Sequence, residues 1–482
     1  MSKEKKASND LLSEYQFTNW TYYLIIIFYI LIIYSNSFTC NFHFDDEISI
    51  LRNENIYTLD KFSSLEGWTN ISQRPLTYFT LALNFKLDRF DPVGYHVFNS
   101  IIHIISSILV FLLAKALIRM RYKKWGDRKI NIIAVFIALF FASHPIQVMA
   151  VTYTVQRAAS LAALFYLASV YSYVKARQLY FRDGFKLKVA AFYLSMIITA
   201  VLGILSKQTA ATLPLTILII EACCIRNNKQ KMAKKYAITY AAILLAGAIA
   251  IVASGNLPRE SEGLPRWQYL LTQFKVYLNY FQLIIFPQGF NIDHGIQFSH
   301  AFKAKETWGL IIIVLLLIAA AWLYKKNRLM SVGIFWFFAT MLVESSIIPI
   351  RDPMFEHRLY LPMFGLSLFI VLGLYKILKQ RLKTLVSVMI PLILILGFLT
   401  YDRNKDWKTN RTIWESSLKE NPKNRRALTY VGRAYFKEDW RKAMDYFNRS
   451  IKLSPQYYHG WLNRALLCYD NELFEHVMMS GD

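Results

Sequence analysis

Apolar runs long enough to cross about 30 Å of hydrocarbon as helices alternate with short basic segments along most of this chain. They lie at 20–38, 95–118, 130–148, 158–175, 188–205, 209–225, 236–254, 308–324, 331–345, 360–378 and 384–400. This pattern predicts about eleven transmembrane helices, hence an all-α, polytopic membrane bundle. Past Thr400 the pattern changes, and apolar and aromatic residues recur at helical spacing among frequent charges.

That distal stretch predicts a soluble helical domain over 401–482. Leu428, Gly432, Tyr435, Ala443, Phe447 and Pro455 follow the tetratricopeptide pattern, in which small residues let paired helices approach and aromatics fill the gap between them. The spacing from Tyr435 to Ala443 is one residue short of the usual. A half repeat from Trp414 to Pro422 precedes this unit, and Trp461 and Ala465 begin another. Stacking needs about three repeats, so the array is expected to lean on the membrane domain or to belong to a truncated form.

Composition agrees with the pattern: 55% of residues are hydrophobic and 16% aromatic, and the mean hydropathy is +0.27, which excludes an ordinary soluble protein. A formal net charge of +24 would suit a nucleic-acid binder, but the placement of the cations excludes that partner. Arg119, Arg121, Lys123, Lys124, Arg128 and Lys129 fill one short loop. Lys175, Arg177, Arg182, Lys186 and Lys188 fill a second, Arg226, Lys229, Lys231, Lys234 and Lys235 a third. Lys325, Lys326 and Arg328, then Lys376, Lys379, Arg381 and Lys383, complete the series. By the positive-inside rule these loops and the Lys-rich N-terminus, residues 1–19, face the cytoplasm. The membrane domain then spans 20–400, and the loops 39–94, 142–157, 255–307 and 344–360, the turn near Lys207 and the distal domain face outward. The first apolar run lacks a small-residue cleavage site and reads as an anchor. Cys40, Cys223, Cys224 and Cys468 make no disulfide framework.

Nearly all the unusual polar residues fall in the outward loops. Asp45, Asp46 and Glu47 follow Phe44 soon after the first span. An acid there could cap a helix before Ile48, Ile50 and Leu51, or could act as a general base whose proton affinity is raised by a neighbouring carboxylate. His96, Asn99 and His103 share one face of the second span, either lining a site or bonding between helices. His144 precedes Pro145, and Arg157 heads a span. Lys207 sits on the outward side against the charge bias, as a snorkelling side chain or an anion ligand. Glu344, Arg351, Asp352, Glu356, His357, Arg358 and Tyr360 crowd a single loop, and Arg suits phosphate through bidentate contacts. No compact ligand spacing argues for zinc; a divalent metal stays open.

The strings FDDE, QRPLTYFTLALNF, DPVGYHVFNSIIH, HPIQVMAVTYTVQRAASLAALFY, LSKQTAATLPL and IPIRDPMFEHRLYLP, followed by the repeats, resemble the transmembrane-and-tetratricopeptide-repeat O-mannosyltransferases and their bacterial relatives. The resemblance runs from about Asp45 to the last repeat. It implies a GT-C membrane glycosyltransferase that moves a sugar from a polyprenyl-phosphate carrier to a hydroxyl acceptor, protein or glycan, outside the cytoplasm. It further implies that Asp46 or Asp45 is the essential first-loop acid, with Asp46 slightly favoured and Glu47 in support. Lys207, Arg351, Arg358, Arg157 and Arg74 are the expected ligands of the carrier phosphate, with His96, Asn99, His103, His144, Glu356 and His357 lining the site. The repeat array is much shorter than that of the family's animal members, and abundant Lys, Ile, Asn and Tyr point to a bacterium, hence an inner membrane and periplasmic repeats. The rival readings are a transporter or channel with His96 and His103 in its pathway, and a membrane scaffold acting through its repeats.

Overall fold

A computed structural model describes residues 19–70, 73–225, 265–346 and 348–471, and all regular structure among them is helical. The main helical bundle comprises α1 (Asn19–Ile33), α2 (Pro75–Asp88), α3 (Pro92–Arg121), α4 (Asp127–Ser143), α5 (Arg157–Asp183), α6 (Leu187–Ser206) and α7 (Leu213–Ile220). It continues through α8 (Arg266–Ile285), α9 (Ala304–Lys326), α10 (Arg328–Met341), α11 (Pro362–Ile377) and α12 (Leu382–Asp406). Every apolar run read from the sequence coincides with a helix except 236–254, which lies outside the described residues.

Length and apolarity separate these helices. Five described helices are long and apolar enough to cross a membrane: Pro92–Arg121, Leu187–Ser206, Gln208–Ile225, Ala304–Lys326 and Leu382–Asp406. A sixth is added if α4 and the Pro145–Val151 segment, bent by 55° at His144, count as one span. The expected eleven included α1, α10 and α11, which are apolar but shorter, and α5, whose Ser, Tyr and basic residues dilute its hydropathy. Burial assigns the long helices their places. The most apolar stretch of α3 is 61% buried and forms the centre, whereas those of α6 and α9 are 17% buried and present a lipid-compatible face. On α6, Leu194, Ile197, Ile198, Val201 and Ile204 all point outward.

Close helix approach depends on small residues, as expected without a hydrophobic force between helices in lipid. Helices α10 and α11 cross where a Cβ built on Gly333 would stand 2.5 Å from the carbonyl oxygen of Gly365. The alternation of the helices then sorts the chemistry to the two ends of the bundle. Arg119, Asp127 and the half-buried Arg177–Glu221 pair, at 2.7 Å, lie at one end. The segments 34–70, 73–74, 144–156, 286–303, 342–346 and 348–361, with Lys207, lie at the other.

The distal helices α13 (Asn410–Glu420), α14 (Arg425–Tyr435), α15 (Trp440–Leu453) and α16 (Tyr458–Asp470) follow α12 directly. Gly432 on α14 leaves no room for a Cβ against the Phe447 ring on α15, so the small and aromatic positions of the repeat pattern meet in space. This domain is bolted to the polar end of the bundle. Ser417 and Asn291 exchange bonds of 2.5 and 3.2 Å, and Asn424 donates to the Asp293 carbonyl at 2.7 Å. Arg433 pairs with Glu47 at 3.3 Å.

Candidate active site

The first loop leaves α1 through a single 3-10 turn, Ser35–Thr39, and is then held residue by residue. His43 is buried, with Nε2 2.5 Å from the Trp407 carbonyl and Nδ1 3.0 Å from Asn410 Oδ1. Phe44 takes a left-handed φ of 44°, a conformation that costs a bulky residue about 1–2 kcal/mol. Its ring is wedged edge-on against Trp414 and Tyr430, at centroid distances of 5.5 and 5.6 Å, and these two rings stack on each other at 4.4 Å. The backbone reversal at Phe44 thus turns on packing supplied by α13 and α14, which over-determines the strained residue. It sends Asp45 and Asp46 in different directions.

Asp46 points inward and is fully buried. Its two oxygens accept from the backbone amides of His43 at 2.9 Å and Val155 at 2.7 Å. Burial pushes its carboxyl up to about 8, the two amides and Arg157 pull it down, and Asp45 pushes it further up. The short turn Glu47–Leu51 begins at Asp46, yet its side chain makes no cap bond. The helix-cap reading therefore gives way to a tie between two loops.

Asp45 is only partly buried. Its amide donates to the Tyr153 hydroxyl at 2.7 Å, and the same phenol lies against its carboxylate. Burial raises the Asp45 carboxyl above its ordinary range and Asp352 adds to that, while Tyr153, Arg426 and Arg74 pull it down. Of the adjacent acids, Asp45 alone has a carboxylate that backbone amides do not occupy.

Arg74 links this carboxylate to a cationic group, since its charge also acts on Lys207, Glu344 and His357. Lys207 pairs with Glu344 at 2.6 Å, both side chains being buried. Burial lowers Lys207 to about 8 even with Glu344 opposite. Glu344 is pushed up by burial but held below its ordinary range by Lys207, Arg358 and Arg74. Arg358 is buried and donates to the carbonyls of Pro353 at 2.8 Å and Asp352 at 2.6 Å, leaving its Nε without a partner. His357 stacks on Phe355 at 5.3 Å, and its buried Nδ1 has no partner. Burial and then three cations, Lys207, Arg358 and Arg74, keep it far below its ordinary range and neutral.

Other residues singled out in the sequence are engaged elsewhere. Arg157 is a clasp inside the bundle: its guanidinium donates to Asn99 Oδ1 at 2.7 Å, the Thr80 carbonyl at 3.0 Å and the Tyr95 carbonyl at 3.1 Å, and lies 4.4 Å from the Phe98 ring centroid. Each of its three guanidinium nitrogens therefore has a partner within the bundle. Asn99 completes the clasp by donating to the Val151 carbonyl at 3.0 Å. His96 bonds to the Cys40 carbonyl at 2.9 Å, and His103 is pinned between the Tyr360 hydroxyl, 2.8 Å, and the Ala142 carbonyl, 3.2 Å. His144 accepts from the Ile146 amide at 3.2 Å and reaches the Ile284 carbonyl at 3.1 Å, which fixes the bend after α4. Glu356 receives the Asn291 amide at 2.6 Å and His294 at 3.0 Å, holding the 286–303 segment. Arg351 is exposed, and its charge reaches His459 on α16 rather than the buried cations. Glu47 pairs with Arg52 at 2.5 Å besides Arg433.

Sequence reasoning did not single out His43, Tyr153, Asp293 or Arg426. Tyr153 lies within the string HPIQVMAVTYTVQRAASLAALFY and the other three outside the quoted strings; each is drawn in by a contact that closes only in the fold. Among the described residues, no group of three or more His, Cys, Asp or Glu side chains is gathered as a metal site.

No protein-family model and no solved structure matches the chain. Curated relatives do. The chain is 25% identical over 493 residues to protein O-mannosyl-transferase TMTC3 of Mus musculus, covering 88% of this chain and 50% of that protein. A protein O-mannosyl-transferase of Caenorhabditis elegans is 25% identical over 458 residues, 90% of this chain and 63% of its own length. Protein O-mannosyl-transferase TMTC4 of Homo sapiens is 23% identical over 463 residues, with shares of 84% and 62%. This chain is therefore similar, along nearly all of its own length, to protein O-mannosyl-transferases, and it spans between half and two-thirds of the length of each.

Proposed function

We propose that this protein is a membrane glycosyltransferase that moves a sugar, on the model of its relatives a mannose, from a polyprenyl-phosphate carrier to a hydroxyl of a protein acceptor on the extracytoplasmic side. The observation that carries the reading is that a partly exposed carboxylate, Asp45, and the buried cations share two neighbours: the charge of Arg74 acts on Asp45 as well as on Lys207 and His357, and Asp352, which acts on Asp45, receives Arg358 at its carbonyl. In the reaction, the acceptor oxygen bonds to the anomeric carbon, the bond from that carbon to the phosphate oxygen breaks, and the hydroxyl proton passes to Asp45. A hydroxyl is a poor nucleophile and gains from a positioned base. The departing lipid phosphate gains from preorganised cations in a water-poor site.

Each side chain has a part suited to its surroundings. Asp45 takes the proton, because Asp46 has both oxygens on backbone amides and serves to hold the loop. Lys207, Arg358 and Arg74 receive the phosphate, and His357, neutral and with an unpartnered Nδ1, offers a further hydrogen bond. Glu344 keeps Lys207 in place. Arg351 stands at the rim. The names of the relatives support the choice of sugar and of a protein acceptor.

The test uses purified full-length protein in bilayers with radiolabelled polyprenyl-phosphate mannose and a Ser/Thr-rich acceptor peptide. Label should pass to the peptide, and Lys207→Met and Arg358→Met should raise the donor KM by at least about tenfold, the loss of one charged hydrogen bond. Transfer from a nucleotide sugar but not from the lipid donor would reject the carrier. Unchanged donor KM in both variants would reject the phosphate site.

A further inference from the structure

Three segments that are far apart in the chain meet on one side chain of α14. Arg426 pairs with Asp293 at 3.2 Å and with Asp352 at 3.1 Å. Its guanidinium carbon also lies 5.4 Å from the centroid of the Phe44 ring. Asp293 belongs to the 286–303 segment, which Glu356 and, from the turn between α13 and α14, Asn421 and Asn424 hold in place. Asp352 belongs to the 348–361 segment, and its carbonyl receives Arg358. Phe44 is the left-handed residue immediately before Asp45. All these contacts are largely buried, with the Arg426 side chain 18% exposed, so the surrounding water screens them weakly.

Simple docking of α14 onto the bundle does not call for this arrangement. Asn421, Asn424, Ser417 and Arg433 already dock it, through carbonyls, an amide and Glu47. Arg426 instead gathers two carboxylates and an aromatic face around the turn that bears Asp45. Arg is suited to this because a planar guanidinium can bond carboxylates along its edge while its face meets a ring.

We propose that Arg426 is a positioning residue through which the C-terminal helices hold Phe44, and hence the Asp45 carboxylate, in reactive geometry. The proposal rests on the reading of Asp45 as the base. It makes the distal domain a working part of the site, apart from any role in acceptor recognition. The charged and titratable groups that face Asp45 are Tyr153 from the 152–156 segment, Arg74 at the head of α2, Asp352 and Arg426, with Asp46 beside it in the chain. Arg426 and Arg74 favour its ionised form, while burial and Asp352 oppose it.

The experiment measures transfer by the full-length protein against pH, with the lipid donor saturating, for wild type, Arg426→Gln, Arg426→Lys, Asp352→Asn and Asp45→Asn. A base must be ionised to act, so its loss of activity falls on the acidic side. Arg426→Gln should lose more there: its ratio of turnover near pH 5.5 to that near pH 7.5 falls roughly threefold or more, since one adjacent charge commonly moves a carboxyl by that much or further. Arg426→Lys should restore most of the wild-type ratio. Asp352→Asn, which removes an opposing charge, should raise the ratio, and it carries the test if Arg426→Gln fails to fold. A uniform loss across pH in Arg426→Gln, or unaltered profiles in both Arg426→Gln and Asp352→Asn, with Asp45→Asn inactive, overturns the positioning role alone. A fully active Asp45→Asn overturns the base reading and the positioning role together.

Discussion

Arg157 separates a structural cation from a substrate-binding one. Its position at the head of an apolar run suits either role, but in the fold it is fully buried and its guanidinium spans three acceptors on α2 and α3. Replacing it with Leu removes a buried charge and at the same time strands Asn99 Oδ1, while the carbonyls of Thr80 and Tyr95 keep the amides of their own helices. A stranded acceptor costs about 1–3 kcal/mol. Relief from burying the charge offsets part of this, and the net destabilisation should be about 1–3 kcal/mol. Arg157→Lys keeps the charge, but an ammonium cannot reach three acceptors set around a planar fork, so it should fall between wild type and Arg157→Leu. The assay pairs thermal unfolding in detergent with the donor KM of the protein that remains folded. Both variants should unfold at lower temperature, with the donor KM of Arg157→Lys unchanged. An Arg157→Lys protein that keeps its unfolding temperature and binds the lipid donor more weakly would refute the clasp and return Arg157 to the phosphate.

Asp46→Asn sets an amide NH2 against one of two backbone N–H groups and should destabilise the fold by about 2 kcal/mol, read by thermal unfolding. Because burial raises the Asp46 carboxyl from 3.8 to about 8, its contribution to stability is complete below its unfolded pKa and is lost as pH rises through about 8. The unfolding temperature of wild type should drop over that window, and the drop should flatten in Asp46→Asn. Lys207 loses its proton near pH 8, so the donor KM should rise above that pH and stay flat in Lys207→Arg; an identical rise in the Arg variant would assign the titration to another group. Gly365→Ala drives a methyl into the Gly333 carbonyl and should cost about 1–3 kcal/mol in thermal unfolding, with the donor KM untouched.

The helical class and the sorting of chemistry to one end of the bundle were legible because both follow from local composition: apolar runs make helices, and cations mark the opposite ends. The number of spans was less so. Among the described residues five helices, or six with the bent pair, are of spanning length, while α1, α10 and α11 are apolar but shorter there, which hydropathy alone does not reveal. In the site, Asp45, Lys207, His357, Arg358 and Arg74 were within reach as unusual polar residues in loops predicted to converge. His96, His103 and His144 stood out on the same grounds but satisfy carbonyls and a hydroxyl, because a polar side chain near a membrane must find a partner whether or not it has a function. The difference between Asp45 and Asp46 turns on the φ of one residue, Phe44, set by Trp414 and Tyr430 more than 350 residues away. No local pattern carries that information, nor the contact of Arg426 with the same turn.

Single-turnover transfer from the labelled lipid donor by Asp45→Asn, with donor binding measured on the same preparation, tests the assignment of the base most directly. Donor binding within about twofold of wild type together with a loss of at least about 100-fold in the transfer step, the lower range for removing a general base, is the predicted result. Transfer at the wild-type rate, or full activity recovered in Asp45→Asn while Asp46→Asn is folded and inactive, would contradict it.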